Sequence, residues 1–210
     1  MTQVLNEIIS AVLQVGILTL VPFIFFLFRK NKAIGFSGYI GLTKPTQKSV
    51  VYAIAGSLLF ICSTVGIIFI DADVKQMVTS PPSVTGNLRS MGITPVSIIV
   101  WLITALFRTS LSEEIFFRGF IGKRLIGLSG FKTGNAIQSI VFGMVHLLLF
   151  LRLPHSTAGA VIFIFIMSTI GGWMTGYINE RSGGGSILPG WIAHGLANCL
   201  SYFVIAFLLP

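Results

Sequence analysis

Hydrophobic residues fall into six long runs, separated by short polar stretches. A transmembrane helix needs about 20 mostly apolar residues, and every run is close to that length or longer. The predicted spans are Ile8–Phe28, Val50–Ile70, Val96–Gly122, Ala136–Leu153, Thr157–Ile178 and Ile187–Leu209. This pattern predicts an all-α fold, a polytopic membrane bundle of about six transmembrane helices.

The first run is expected to remain in the membrane rather than act as a cleavable signal peptide. No basic residue precedes it, its apolar part is too long, and Arg29 and Lys30 follow it. It forms, with the second run, a predicted N-terminal part covering residues 1–95. The loop at 71–95 contains Pro81-Pro82 and scattered Ser, Thr and Gly, so an irregular conformation is predicted there.

Composition supports the membrane assignment. The 210-residue chain is 54% hydrophobic and only 10% charged, whereas a soluble domain carries about 25% charged residues. The net charge of +8 comes from basic residues next to apolar runs. That placement indicates membrane topology and anionic lipid rather than nucleic acid. The lipid bilayer is therefore a predicted partner, and the sequence does not specify an oligomeric state.

Basic residues also predict the orientation. None precedes Ile8, whereas the loop after the first span is rich in them: Arg29, Lys30, Lys32, Lys44 and Lys48. Lys123, Arg124 and Lys132 mark a second basic loop. Because basic loops stay in the cytoplasm, the N-terminus is predicted to lie outside, in a bacterial cell membrane.

Small residues inside the runs are expected to serve packing. Cys62 and Cys199 lie within predicted spans and are interpreted as buried hydrophobic residues rather than a disulfide or redox pair. Gly172 and Gly176 form a GxxxG spacing, which predicts close helix contact.

Two adjacent glutamates interrupt the third span. A carboxylate near the bilayer centre costs ~2.5–3.5 kcal/mol, so it is usually paired, faces a cavity or takes part in chemistry. Glu114 and Arg118 are four residues apart and can pair on one helix face. Glu113 points about 100° away and has no local partner, which suits a general base. The alternative is that both glutamates join a polar network between helices.

Histidines in two later spans lie at a similar depth. At about 1.5 Å per residue, Glu113, His146 and His194 are all placed in the half of the bilayer nearer the cytoplasm. This agreement favours a hydrolytic centre. His194 and Asn198 share a helix face, so they can bind an oxyanion, or His194 can bind a metal. The alternatives are that His146 is a hydrogen-bonded core residue and that Asn198 only pins His194.

The third span holds two further features. Arg108 has no acidic residue three or four positions away. It is expected to bond backbone carbonyls or reach into a wet cavity rather than bind a substrate carboxylate. Ser and Thr side chains at 109–112 compete for backbone hydrogen bonds, so a bend is expected there.

Three motifs occur in order on separate spans. They are EExxxR (Glu113 to Arg118), FxxxH (Phe142 to His146) and HxxxN (His194 to Asn198). With this combination, residues 96–201 resemble the CPBP family of CAAX prenyl proteases and bacteriocin-processing enzymes, also called Abi proteins.

The resemblance implies an intramembrane endopeptidase, with residues 96–210 and the last four helices as its catalytic core. Glu113, assisted by His146, would activate water. His194 and Asn198 would stabilise the oxyanion. Glu114 and Arg118 would support the site. The substrate would be a membrane-associated or precursor peptide.

The sequence is compatible with two forms of the site, since the expected cofactor is either none or one Zn²⁺. Glu113, His146 and His194 can form a three-ligand zinc site. The chain has no HExxH motif, which favours water activated by the protein itself.

Two other functions are compatible with intramembrane charges. A proton-relaying transporter would show inverted repeats or matching broken helices, whereas the charged residues within the predicted spans fall in the C-terminal half. A non-catalytic membrane scaffold or bacteriocin-immunity protein, acting by binding, would have the same sequence features as an enzyme.

Overall fold

The computed structural model describes residues 2–29 and 33–209, and helices make up most of them. The α-helices are α1 (Thr2–Leu27), α2 (Gly35–Ile40), α3 (Gln47–Ile68), α4 (Ala72–Thr79), α5 (Val84–Met91), α6 (Pro95–Ile103), α7 (Lys123–Phe150), α8 (Ala158–Tyr177) and α9 (Leu188–Phe203). Wider π-helical turns occupy Thr104–Leu111, Glu114–Gly122, Ile178–Ser182 and Val204–Leu208. The predicted all-α membrane bundle is confirmed. Lys30 and Lys32, counted in the orientation argument, lie outside the described residues.

Five helices in the described ranges are long and apolar enough to cross a membrane. The third, Pro95–Phe150, is 56 residues long and contains two of the six predicted spans. Gly130 interrupts it with a φ of +78°, a value that favours glycine. Beyond this point Gly134 packs directly on the backbone of Ile126. The run is therefore two arms folded back on each other, which correspond to the third and fourth predicted spans.

The expected bend at 109–112 takes the form of wide turns within a continuous helix. The Thr109 hydroxyl donates to the carbonyl five residues earlier at 2.9 Å, and Ser110 donates to Ala105 at 2.6 Å. These side-chain bonds accompany the π-helical spacing of the backbone. The chain stays helical through Ser112 and Glu113, so Glu113 does not begin a separate helix.

The loop predicted to be irregular at 71–95 contains α4 and α5, so that expectation was wrong. Each helix has a side-chain cap: Asp71 accepts from two backbone amides of α4, and Ser83 accepts from the amide of Gly86. Val74 and Met77 are buried in a cluster with the end of α3 and the C-terminal residues of the chain. Capping and an apolar face therefore outweigh the turn-forming composition.

The small residues behave in two ways. Gly176 packs against the side chain of Asn135, and Gly172 lies beside Ser139 and Arg118, so the predicted close helix contact is confirmed. Cys199 is buried, but Cys62 is exposed, contrary to the prediction. The buried residues of α3 lie on a different face, which turns Cys62 outward.

Candidate active site

Glu113 lies at the meeting point of three helical segments. Its Oε2 atom is 3.9 Å from His146 Nε2 on α7 and 3.8 Å from His194 Nε2 on α9. These separations exceed a hydrogen bond, and Glu113 Oε2 is buried without a hydrogen-bond partner among the described residues. The structure thus brings together three side chains that the sequence placed at one depth.

Both histidines direct Nε2 towards Glu113, because an oxygen atom on the opposite side of each ring contacts Nδ1. His146 Nδ1 lies 2.9 Å from the carbonyl oxygen of Phe142. His194 Nδ1 lies 3.4 Å from Oε1 of Glu114. Carbonyl and carboxylate oxygens only accept hydrogen bonds, so each Nδ1 carries the hydrogen. In the neutral form, each Nε2 then offers a lone pair to the same point.

Glu114 anchors this arrangement from a fully buried position. Arg118 Nη1 lies 3.3 Å from Oε1, which confirms the predicted pair. Asn179 Nδ2 donates to Oε2 at 3.4 Å, and His194 is the third neighbour. A buried carboxylate is tolerated only when it is compensated in this way.

Arg118 is fixed on its other sides. Its Nε donates to the Thr175 hydroxyl at 3.0 Å. Its guanidinium lies 4.0 Å over the Phe142 ring, which in turn lies 4.3 Å from the His146 ring, centre to centre. The ion pair therefore supports both histidines, one through Glu114 and the other through Phe142.

Asn198 lies one turn after His194 and bonds to the helix of Glu113. Its Nδ2 donates to Thr109 Oγ1 and Ser110 Oγ, both at 3.1 Å. Those hydroxyls already donate to backbone carbonyls, so they accept from the amide. With both amide hydrogens engaged, Asn198 pins α9 beside the helix that carries Glu113.

Arg108 has a partner that the sequence did not indicate. Its Nη1 lies 2.7 Å from Oε2 and 2.9 Å from Oε1 of Glu7 on α1. The expectation of backbone carbonyls was wrong, because Glu7 is buried against the same helix face, whereas the side chain does line a cavity, as the other expectation had it. The available signal was that Glu7 and Gln14 are seven residues apart and share a face. Gln14 donates to Ser112 at 3.3 Å.

Asn179 and Thr175 were also missed. The fifth span was predicted to end at Ile178, but the helix continues through Ser182. Gly172, Thr175, Gly176 and Asn179 follow a helical spacing and form one face of small and polar residues. That face was the signal available in the sequence.

A cavity of about 560 Å³ opens beside the site. Glu113, His146, His194 and Asn198 contribute to its wall. Most of the remaining wall is apolar and includes Phe60, Leu149, Phe163, Ile164, Met167 and Met174. Such a cavity suits a ligand with a large apolar part.

The donor set matches the two histidines and one carboxylate of many zinc enzymes. The spacing does not match, since ligands of a tetrahedral zinc are separated by about 3.3 Å, less than the 3.8–3.9 Å found here. Within the described ranges, no group of three or more His, Cys, Asp or Glu side chains is arranged to hold a metal ion. A tetrahedral zinc would therefore require Glu113 to lie closer to both histidines than it does here.

Comparison with known proteins gives one family. The family model of the type II CAAX prenyl endopeptidase Rce1-like proteins matches residues 95–200, half of the chain. Searches of curated proteins and of solved structures found no match. The match includes Glu113, His146 and His194. The chain, an integral membrane protein, therefore belongs to the Rce1-like family of type II CAAX prenyl endopeptidases.

Proposed function

We propose that this protein is an intramembrane endopeptidase in which Glu113 activates a water molecule. The observation that carries the proposal is the convergence of Glu113 Oε2 with two histidine Nε2 atoms. These converging atoms suit a water that is oriented by His146 and deprotonated by Glu113.

In the proposed reaction Glu113 accepts one proton and later donates one. Glu113 takes a proton from water while the oxygen attacks the carbonyl carbon of the scissile bond. The tetrahedral intermediate then collapses, the C–N bond breaks, and Glu113 gives its proton to the leaving nitrogen. Each step uses a group that already lines the cavity.

His194 is the proposed donor to the oxyanion. Its Nδ1 is held by Glu114, which directs Nε2 towards the site, and Nε2 donates there in the ring form that carries a hydrogen on it. Asn198 can contribute only by releasing Thr109 or Ser110, because both of its amide hydrogens are engaged. Loss of one such donor typically lowers kcat by about 10²–10³-fold.

The apolar cavity wall is the proposed place for the membrane-borne part of a peptide substrate. The name of the family, CAAX prenyl endopeptidase, suggests a prenylated CAAX peptide as substrate. The cavity wall is apolar enough to contact an isoprenoid. An unprenylated apolar peptide would use the same surface.

Orientation completes the proposal. Basic residues occur near α2, near the reversal of the chain at Gly130 and near the end of α8. Because basic loops stay in the cytoplasm, these three regions are placed on the cytoplasmic side. The N-terminus is then outside, and cleavage takes place nearer the cytoplasmic face of a bacterial cell membrane.

The test uses the purified protein in liposomes with two probes, a farnesylated CAAX peptide and the same peptide without the lipid. Cleavage of either by the wild type, lost in Glu113→Gln and kept with a chelator, is expected. Glu180→Gln is the matched control, since Glu180 pairs with Lys123 at 2.8 Å and does not line the cavity.

The other outcomes separate the alternatives. Cleavage lost with the chelator would assign Glu113, His146 and His194 to a metal. Cleavage retained in Glu113→Gln would overturn the role of this glutamate. Binding of a peptide without cleavage would support the non-catalytic scaffold.

A further inference from the structure

We infer that Asn179 is a positioning residue of the active site, which aligns Glu114 and, through it, His194. This inference rests on the proposed function and extends the machinery beyond the three motifs. Asn179 is 1% exposed and lies in the wide turn that continues α8. It makes two hydrogen bonds to different elements.

Its side-chain amide connects the helix of Glu113 and Glu114 to α9. Oδ1 accepts from the backbone amide of Gly190 at 2.7 Å, and Nδ2 donates to Glu114 Oε2 at 3.4 Å. Gly190 lies in the first turn of α9, four residues before His194. One side chain therefore sets the distance between Glu114 and the helix that carries His194.

The packing at Gly190 leaves no space for adjustment. A Cβ atom at this position would collide with Glu114 Oε2 and with the amide of Asn179. The absence of a side chain is thus what lets the first turn of α9 approach the carboxylate. Asn179 holds that approach in place.

The two oxygens of Glu114 have separate partners. Oε1 faces Arg118 and His194, whereas Oε2 receives the hydrogen bond from Asn179. Without that bond the carboxylate can rotate, and His194 Nδ1 loses its fixed acceptor. Nε2 is then no longer held towards Glu113. Substitution of a residue that orients a functional group without touching the substrate typically lowers activity by about 10–100-fold.

Asn179 is not among the residues that line the cavity, so it has no contact with a bound peptide. Its loss is therefore expected to lower kcat and to leave KM nearly unchanged.

Two variants separate its two bonds. Asn179→Asp keeps an acceptor for Gly190 but cannot donate to Glu114 when ionised. Asn179→Ala removes both bonds. The control is Asn135→Ala, which removes another fully buried asparagine, on α7, whose amide donates to Trp173. With the farnesylated CAAX peptide, kcat is expected to fall by about 10–100-fold in both Asn179 variants and less in Asn135→Ala.

A second readout does not depend on cleavage. The chain has three histidines, so ¹⁵N-histidine labelling gives ring signals that His194→Gln can assign. The Nδ1–H signal of His194 is expected to shift or broaden in both Asn179 variants and to remain in Asn135→Ala. The thermal midpoint of each variant shows whether it is folded, and Asn179→Asp keeps the test valid if Asn179→Ala does not fold.

The results distinguish the two proposals. If the wild type cleaves neither probe, the proposed function fails, while the His194 signal still tests the positioning role. A folded Asn179→Asp variant with wild-type kcat and an unchanged His194 signal would overturn the inference.

Discussion

The carboxylate of Glu7 lies 2.7 Å from the guanidinium of Arg108, which joins α1 to the helix of Glu113. Few other residues of α1 are buried: Ala11, Pro22 and Phe26. The apolar burial lies at the end of α1, where Phe26 packs in a cluster with Tyr39, Ile40, Ile115 and Ile187. Nearer the start of α1, the specific contacts are the Glu7–Arg108 pair and the Gln14–Ser112 bond.

Removing one partner of this pair should destabilise the protein. Glu7→Gln or Arg108→Gln is expected to cost about 1–3 kcal/mol, because a charge-assisted hydrogen bond is lost in a partly buried place. Thermal unfolding in detergent measures the effect. In a double-mutant cycle the two losses should not add, since each substitution removes the same contact. Fully additive losses would show that the pair is not coupled.

Arg118 should matter more for stability than Arg108. Arg118→Gln leaves the buried carboxylate of Glu114 without its cation, and breaking a buried pair costs about 3–5 kcal/mol. Arg118→Lys retains the charge but cannot reproduce the planar contact with Phe142 and the bond to Thr175. It should therefore show an intermediate thermal midpoint.

The exposed residue Lys48 supplies the control for Arg118. Among the described residues its ammonium contacts only the Tyr52 ring, at 5.5 Å, so Lys48→Gln should leave the midpoint nearly unchanged. A midpoint for Arg118→Gln equal to that of Lys48→Gln would contradict the anchoring role.

Two glycines should respond in opposite directions to alanine. At Gly176, on the face of α8 that packs against α7, a Cβ atom would collide with the Asn135 side chain, and overpacking costs about 1–3 kcal/mol. At Gly66, in α3, a Cβ atom would meet nothing within 4 Å. Gly66→Ala should be neutral or stabilise by up to about 1 kcal/mol. Thermal midpoints of the two variants check both signs, and equal shifts would refute the packing argument.

Cysteine labelling tests the orientation. In a background of Cys62→Ser and Cys199→Ser, Lys48→Cys lies in the first turn of α3 and Arg152→Cys lies in the turn after α7. A membrane-impermeant maleimide should label the Arg152→Cys variant in intact cells and the Lys48→Cys variant only after lysis. The reverse labelling would place the N-terminus in the cytoplasm.

The sequence predicted the spans, the Glu114–Arg118 pair and the common depth of Glu113, His146 and His194. These features follow from local rules: apolar length, four-residue spacing and the rise of a helix. Gly130 also has a local origin, since a positive φ within a helical run favours glycine.

Other features depend on contacts between distant parts of the chain. Glu7 precedes Arg108 by 101 positions, and no spacing rule relates residues on separate helices. Asn179, just beyond the predicted end of the fifth span, was missed because its two partners, Glu114 and Gly190, come from other elements. The helices α4 and α5 were missed because burial of Val74 and Met77 outweighs a turn-rich composition.

Ser112 and Glu113 lie between two wide-turn segments, Thr104–Leu111 and Glu114–Gly122. In an α-helix, deletion of one residue rotates all later side chains by about 100°, which would turn Glu113 away from the histidines. A wide turn already holds an additional residue, so it can absorb a one-residue deletion by tightening to α geometry. We therefore expect a one-residue deletion in Thr104–Leu111 to turn Glu113 less than the same deletion in an α-helix would. The interval from Glu114 to Arg118 is not adjustable, because both ends are held by buried partners.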